Sequence, residues 1–173
     1  MNKVLDDILD EIDQKLICLQ IDFDNASWRG TIPSEPGWYL IKTNTPLAVL
    51  KSINSPDLEY KAHLNIPRCI NNASSSQNLG LVITQSGSED YVIYNGEADN
   101  LKARARQHEC GHPKTYCLGL SKYRELRGHR WAFCYVTASS CNVLTDNGTD
   151  KLLRIAIEQG WRAKHGWPIL CHR

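Results

Sequence analysis

The chain has 173 residues, of which 42% are hydrophobic and 23% charged, a composition typical of a soluble globular protein of about one domain. No apolar run approaches the ~18 residues that a transmembrane helix needs, so we expect no membrane partner. Acidic residues interrupt the apolar positions of residues 1–19, unlike a secretory signal. Seven cysteines without an export signal then predict free thiols and a cytoplasmic location.

The net charge of +1 is unevenly distributed along the chain. Residues 1–36 carry a net charge of −5, residues 37–99 carry −2, and residues 100–173 carry +8. A basic C-terminal part is typical of a surface that binds nucleic acid. A basic surface without such a partner would show the same asymmetry, so the charge pattern favours nucleic-acid binding only weakly.

The first predicted element is an amphipathic helix with an acidic outer face. Its apolar residues recur at intervals of three and four, at Leu5, Ile8, Ile12, Leu16 and Leu19, as on one face of a helix. The apolar face either covers one side of the protein core or contacts a second copy or another partner. Residues 1–35 are therefore predicted to form an acidic helical extension before a domain of residues 36–173.

A strand is predicted at residues 37–43, because aromatic and β-branched residues follow a Pro-Gly turn there. Residues 44–78 are irregular, with three prolines and a polar run. This stretch is too long for a plain connection inside a compact domain. We interpret it as an insertion with room for a short helix or strand.

The apolar runs at 79–84 and 91–94 flank a turn-like segment, which predicts a hairpin. Asp99 is the predicted N-cap of a helix that covers residues 101–108.

A further strand is predicted at 131–136. The last helix is predicted to open at Asp146 or Thr149, to run to about Lys164, and to end at Gly166. Together these elements predict an α/β (α+β) fold, in which a small antiparallel sheet is flanked by helices.

Three places along the chain combine into a more specific motif. The triplet Gly37-Trp38-Tyr39 begins one strand and the triplet Tyr94-Asn95-Gly96 ends another. An arginine follows eight residues after the second triplet, a histidine follows one helical turn later, and a glutamate lies in the last helix: Arg104, His108 and Glu158.

This arrangement resembles the GIY-YIG nuclease superfamily, over residues 36–173 with residues 44–78 unmatched. The polar turn and leucine before Arg104 are similar to the family pattern, as are Trp161 after the glutamate and the closing Pro168-Ile169-Leu170. Trp38 stands where the family usually has an aliphatic residue, Asn95 where it has isoleucine, and Cys171 where it has asparagine.

The resemblance implies a DNA endonuclease that uses one Mg²⁺ or Mn²⁺ ion. Tyr39 would be the general base and Tyr94 would support it. A phenol has a pKa near 10, so it needs a neighbouring donor or cation to act near neutral pH. Arg104 and His108 would contact the phosphate, where a planar guanidinium matches the oxygens. Glu158 would bind the metal, because Mg²⁺ is often held by one carboxylate with water.

The substrate implied by the resemblance is double-stranded DNA, with a restriction-like or defence role. A homodimer is a further expectation, because two strands must be cut. Basic residues of the second half and one lysine of the first strand are the candidate DNA-binding residues: Lys42, Lys102, Arg106, Lys122, Arg124, Arg127 and Arg130.

Other interpretations of the same residues stay open. The tyrosines are common in packed strands, and Glu158 is spaced to form helical ion pairs with Arg154 and Arg162. The spacing of His108, His112 and Cys117 would also suit zinc, although no second donor pair follows. Two rival functions follow: a nucleic-acid-binding module of the same fold without activity, and a zinc-stabilised interaction protein.

Overall fold

A computed structural model of the chain describes residues 3–56, 64–74, 82–83, 89–141 and 151–171. The predicted openings of the last helix, Asp146 and Thr149, lie outside the described residues. The helices are α1 (Lys3–Lys15), α2 (Leu47–Ser52), α3 (Ile66–Ser74), α4 (Leu101–Cys110) and α5 (Lys151–His165). The strands are β1 (Ile17–Gln20), β2 (Gly37–Thr43), β3 (Val82–Ile83), β4 (Tyr91–Ala98), β5 (Trp131–Thr137) and β6 (Trp167–Pro168).

Four strands form an antiparallel sheet in the order β1-β5-β2-β4. The predicted mixed fold with an antiparallel sheet and flanking helices is thus confirmed at this level. β2 is a central strand and is buried on both faces, which its continuous apolar and aromatic sequence permits. Its register places Tyr39 opposite Gly96 on β4 and opposite Tyr135 on β5.

The two faces of the sheet bury separate clusters of side chains, because successive strand residues point to opposite faces. Tyr39 and Phe133 belong to the larger cluster, which α3 and α4 help to cover. Trp38 and Leu40 belong to the other cluster, which includes apolar residues of α1 and α5. The apolar face of α1 therefore covers one side of the core, as one of the two interpretations expected.

The N-terminal segment also contributes a strand that the helical pattern concealed. β1 is an edge strand of the main sheet, so Leu19 lies on a strand and not on the predicted helix. Cys18 on β1 faces Cys134 on β5, and the two form a disulfide. The prediction of free thiols is wrong for this pair, and it agrees with the structure for five cysteines: Cys69, Cys110, Cys117, Cys141 and Cys171.

Of the first run of the predicted hairpin, 79–84, only Val82 and Ile83 lie in the described residues, and this pair does not join β4 there. β4 pairs with the central strand β2, whereas β3 pairs in parallel with β6 near the C-terminus. The predicted insertion at 44–78 contains α2 and α3, and Leu50 and Ile70 are completely buried. No helix in the described ranges is long and apolar enough to cross a membrane.

Candidate active site

The helix α4, which follows β4, is positioned by its N-cap. The Asn100 side chain accepts a hydrogen bond from the backbone N–H of Ala103 at 2.8 Å, a typical capping geometry. The predicted cap, Asp99, is wrong by one residue, because its carboxylate pairs with Arg154 of α5 instead. This start directs Arg104 toward β2 and β4.

The hydroxyl of Tyr39 on β2 contacts two side chains of α4. Arg104 donates from Nε to the Tyr39 oxygen at 2.8 Å, and His108 Nε2 lies 3.0 Å from the same oxygen. The backbone N–H of Leu118 donates to His108 Nδ1 at 3.4 Å, which leaves the ring proton of a neutral imidazole on Nε2. Both neighbours therefore donate to the Tyr39 oxygen, an arrangement that stabilises negative charge on it.

The ring of Tyr39 crosses directly over Gly96, the glycine of the second triplet. A Cβ at residue 96 would lie 2.4 Å from the Tyr39 hydroxyl oxygen, so this position requires glycine for close packing. The ring is stacked on Phe133 with centroids 5.1 Å apart and on Tyr94 with centroids 6.2 Å apart. The second triplet therefore holds the tyrosine of the first triplet in place.

Burial dominates the electrostatics of this group. It raises the pKa of Tyr39 well above its usual value, and Tyr94 adds to the rise while Arg104 opposes it. Burial lowers the pKa of His108 well below its usual value, and the neighbouring Arg104 charge lowers it further. At neutral pH Tyr39 is thus a phenol and His108 a neutral imidazole.

The lowered pKa of His108 predicts that the protein loses stability in mild acid. Below pH ~6.5 the unfolded chain binds a proton that the folded chain excludes, so stability falls by up to about 1.4 kcal/mol per pH unit. The variant His108→Gln keeps an N–H donor and cannot titrate, so its unfolding free energy is expected to fall less between pH 7 and pH 5. Urea unfolding at several pH values measures this slope, with His129→Gln as the matched control. Equal slopes for wild type and His108→Gln would contradict the assignment.

Glu158 projects from α5 at the end of β4. Its Oε2 accepts a hydrogen bond from the backbone N–H of Glu97 at 3.1 Å, and its carboxylate is paired with Arg162. The side chains of Arg162 and Glu158 are only 10% and 13% exposed, so this is not a solvated surface pair. Burial raises the pKa of Glu158, and Arg162 opposes the rise. Arg154 does not join the predicted ion pair, since it binds Glu97 and Asp99.

Two open clefts adjoin Tyr94. The cleft beside Arg104 has a volume of about 540 Å³, and the cleft beside Glu158 has a volume of about 340 Å³. Tyr94 lines both of them. Tyr39 is only 1% exposed and, of the described residues, it is not among those that line either cleft. The structure therefore brings together all five predicted catalytic residues: Tyr94, Arg104 and Glu158 line the clefts, and Tyr39 and His108 are buried behind them.

The cleft beside Glu158 suits a magnesium ion held mainly by water. Mg²⁺ commonly keeps several water ligands and takes one or two carboxylates from the protein. Glu158 supplies a carboxylate at the wall of a cleft with room for such a hydrated ion. Among the described residues, no group of three or more histidine, cysteine or acidic side chains could hold a metal ion. Among the residues that line this cleft, Glu158 is thus the one carboxylate that could hold a cation, and Arg162 already pairs with it.

The two histidines of the zinc interpretation use ring nitrogens for other hydrogen bonds. His108 uses Nε2 for Tyr39 and Nδ1 for the Leu118 amide, so neither nitrogen points to an open position. His112 Nδ1 accepts a hydrogen bond from the backbone N–H of Lys114 at 3.2 Å. The spacing that suggested zinc serves local packing and turn formation in the part of the chain that is described.

The candidate DNA-binding residues are spread over the surface. Lys42 is half-buried on the central strand β2. Arg127 pairs with Asp24, and Arg130 pairs with Asp90 at 2.8 Å. The other candidates are exposed on α4 and on the turns that precede β5: Lys102, Arg106, Lys122 and Arg124.

The sequence analysis missed three side chains of the cleft beside Arg104. Gln107 accepts a hydrogen bond from Arg104 Nη1 at 3.2 Å, and Lys114 and Tyr116 line the same cleft. The sequence signal that could have found two of them is a lysine and a tyrosine two residues apart, just after a basic helix. In comparisons with known proteins, the chain matches no family model, no curated protein and no solved structure.

Proposed function

We propose that the chain is a magnesium-dependent endonuclease of the GIY-YIG type, which hydrolyses phosphodiester bonds in DNA. The observation that carries this proposal is the hydroxyl of Tyr39, which accepts hydrogen bonds from Arg104 and His108 next to Tyr94. Glu158 stands in the cleft on the other side of Tyr94. The stacked pair of Tyr39 and Tyr94 is thus surrounded by the other three residues that the resemblance implies: Arg104, His108 and Glu158.

In this proposal Arg104 serves two purposes. Its Nε positions the Tyr39 hydroxyl, and the outer N–H groups of the guanidinium bind the phosphate that is cleaved. Tyr39 is the general base, since the donors Arg104 and His108 stabilise its phenolate once the proton is lost. Tyr94 lies between Tyr39 and the clefts, so the substrate meets this tyrosine first.

Glu158 is the residue that would hold the metal, and Arg162 pairs with its carboxylate and opposes the rise of its pKa. When bound, the ion would supply positive charge for the leaving oxygen and the phosphate. A homodimer would offer one such site to each strand of a duplex, so the proposal includes a homodimer. The exposed basic residues of α4 and of the turns before β5 are its proposed DNA-binding surface.

The test is cleavage by the purified full chain. Supercoiled and linear DNA are incubated with Mg²⁺ or with EDTA, using wild type and the variant Glu158→Gln. We expect cleavage that requires Mg²⁺ and falls by at least a hundredfold in the variant, because the carboxylate is its main protein ligand. The matched control is Glu35→Gln, whose exposed side chain bonds to Ser139 away from the site. Full activity of Glu158→Gln would contradict the metal role.

A second candidate function is favoured by the burial of Tyr39. A base that is 1% exposed and has a raised pKa is poorly suited to take a proton from water. A module that binds DNA without cutting it would account for that burial. Such a module would retard DNA with a steep salt dependence and leave every DNA substrate intact in the presence of Mg²⁺.

A further inference from the structure

The cleft beside Arg104 is lined by basic, aromatic and acidic side chains. Arg104 and Gln107 of α4 line it together with Lys114 and Tyr116 of the following turn. Residues 97–100, at and just after the end of β4, also line it. Its volume of about 540 Å³ lies within the roughly 300–1,000 Å³ that small-molecule sites occupy. The cleft is therefore large enough for one nucleotide.

The cleft is lined by two basic and two acidic residues, but its net charge is more positive than this balance suggests. Arg104 and Lys114 line the cleft, and so do two acidic residues, Glu97 and Asp99. Both carboxylates are paired with Arg154, whose side chain is 1% exposed. This buried arginine offsets one of the two negative charges, and Lys151 Nζ lies 3.8 Å from the Asp99 carboxylate. A phosphate that enters therefore meets two cations and two largely neutralised carboxylates.

Tyr116 supplies an aromatic surface in this basic setting. It is 51% exposed, although large aromatic side chains usually bury most of their surface. Exposed aromatic rings combined with basic side chains are the groups that bind unpaired nucleotides, because every base has a face on which a ring can stack. In an intact duplex the neighbouring base pairs cover those faces, so this surface favours a base turned out of the stack.

We propose that this cleft binds an unpaired nucleotide next to the phosphate that is cleaved. The base stacks on Tyr116, its phosphate lies between Arg104 and Lys114, and Gln107 and Asp99 offer polar groups to the base edge. The preferred substrate is then DNA that is locally unpaired at the cut, such as a bulge or a junction with a single strand. This inference rests on the proposed function, which places the phosphate at Arg104.

The experiment measures binding and cleavage separately. Three DNA probes share one strand: a paired duplex, the same duplex with one bulged 2-aminopurine, and the single strand. Binding in EDTA is followed by anisotropy and by 2-aminopurine fluorescence, with wild type, Tyr116→Ala and Tyr116→Trp. We expect wild type to bind the bulged duplex about tenfold more tightly than the paired one and to quench its fluorescence. Tyr116→Ala should lose most of this preference, whereas Tyr116→Trp should keep it.

The same probes in Mg²⁺ distinguish the two proposals. Cleavage without a preference for the bulged duplex, or with a preference that Tyr116→Ala leaves unchanged, overturns the nucleotide site and leaves the nuclease in place. A preference in binding that depends on Tyr116, without cleavage of any probe, keeps the nucleotide site and overturns the nuclease. Equal binding of all three probes without cleavage overturns both.

Discussion

Replacing Arg104 with lysine is expected to reduce magnesium-dependent DNA cleavage by about a thousandfold or more. Lysine keeps the positive charge and loses the planar group that donates from Nε to Tyr39 and from Nη1 to Gln107. Loss of one preorganised donor typically costs a hundredfold to a thousandfold in rate. Arg104→Lys would lose the contact to Tyr39 and the bidentate contact to phosphate together. Single-turnover rates at saturating DNA measure the effect.

The matched control is Arg106→Lys, on the same helix and with the same chemical change. Arg106 is exposed and belongs to the proposed DNA-binding surface, so its replacement should alter cleavage by less than about threefold, because lysine also binds phosphate. Melting temperatures of both variants check that the fold is retained. If Arg104→Lys cleaves DNA at a rate within tenfold of the wild-type rate, the guanidinium of Arg104 does not link Tyr39 to the phosphate in the mechanism.

Local sequence signals were sufficient for the bounds of β2 and β5, although the pairing of these strands is long-range. β2 begins and ends where the Pro-Gly turn and the apolar run place it, and β5 extends one residue beyond its predicted range. The pairing of β3 with β6 was not predictable, because it joins segments far apart in the chain. β1 was hidden because Leu16 and Leu19 continue the helical spacing, while pairing with β5 draws residues 17–20 into the sheet.

The candidate site also has features that the sequence predicted and features that it could not predict. The triplets and the spacing that follows them led to Tyr39, Arg104 and Glu158, and the structure brings these residues to one region. The contacts that determine their chemistry are long-range and could not be read from spacing. The Leu118 amide that sets the His108 tautomer and the burial that raises the pKa of Tyr39 both depend on packing. The disulfide has the same origin, since its cysteines are 116 residues apart.

Replacing Gly96 with alanine is expected to destabilise the protein by about 1–3 kcal/mol, as overpacking of a core does, and to abolish cleavage. The new methyl group would lie 2.4 Å from the Tyr39 hydroxyl oxygen and 2.7 Å from its ring carbon Cζ. A flexible side chain could move aside at low cost. The ring of Tyr39 cannot, because Phe133 and Tyr94 stack on it and Arg104 and His108 hold its hydroxyl.

Gly128→Ala is the matched control, since a Cβ at Gly128 would have no heavy atom within 4 Å. It should leave cleavage unchanged and should be neutral or slightly stabilising, because alanine restricts the unfolded chain. Urea unfolding and cleavage rates of the two variants separate packing from catalysis. A stable Gly96→Ala protein that has lost cleavage would mean that Tyr39 moved and that its position controls activity. A stable and fully active Gly96→Ala protein would show that the Tyr39 hydroxyl does not act from this position, and the general base would have to be sought at Tyr94.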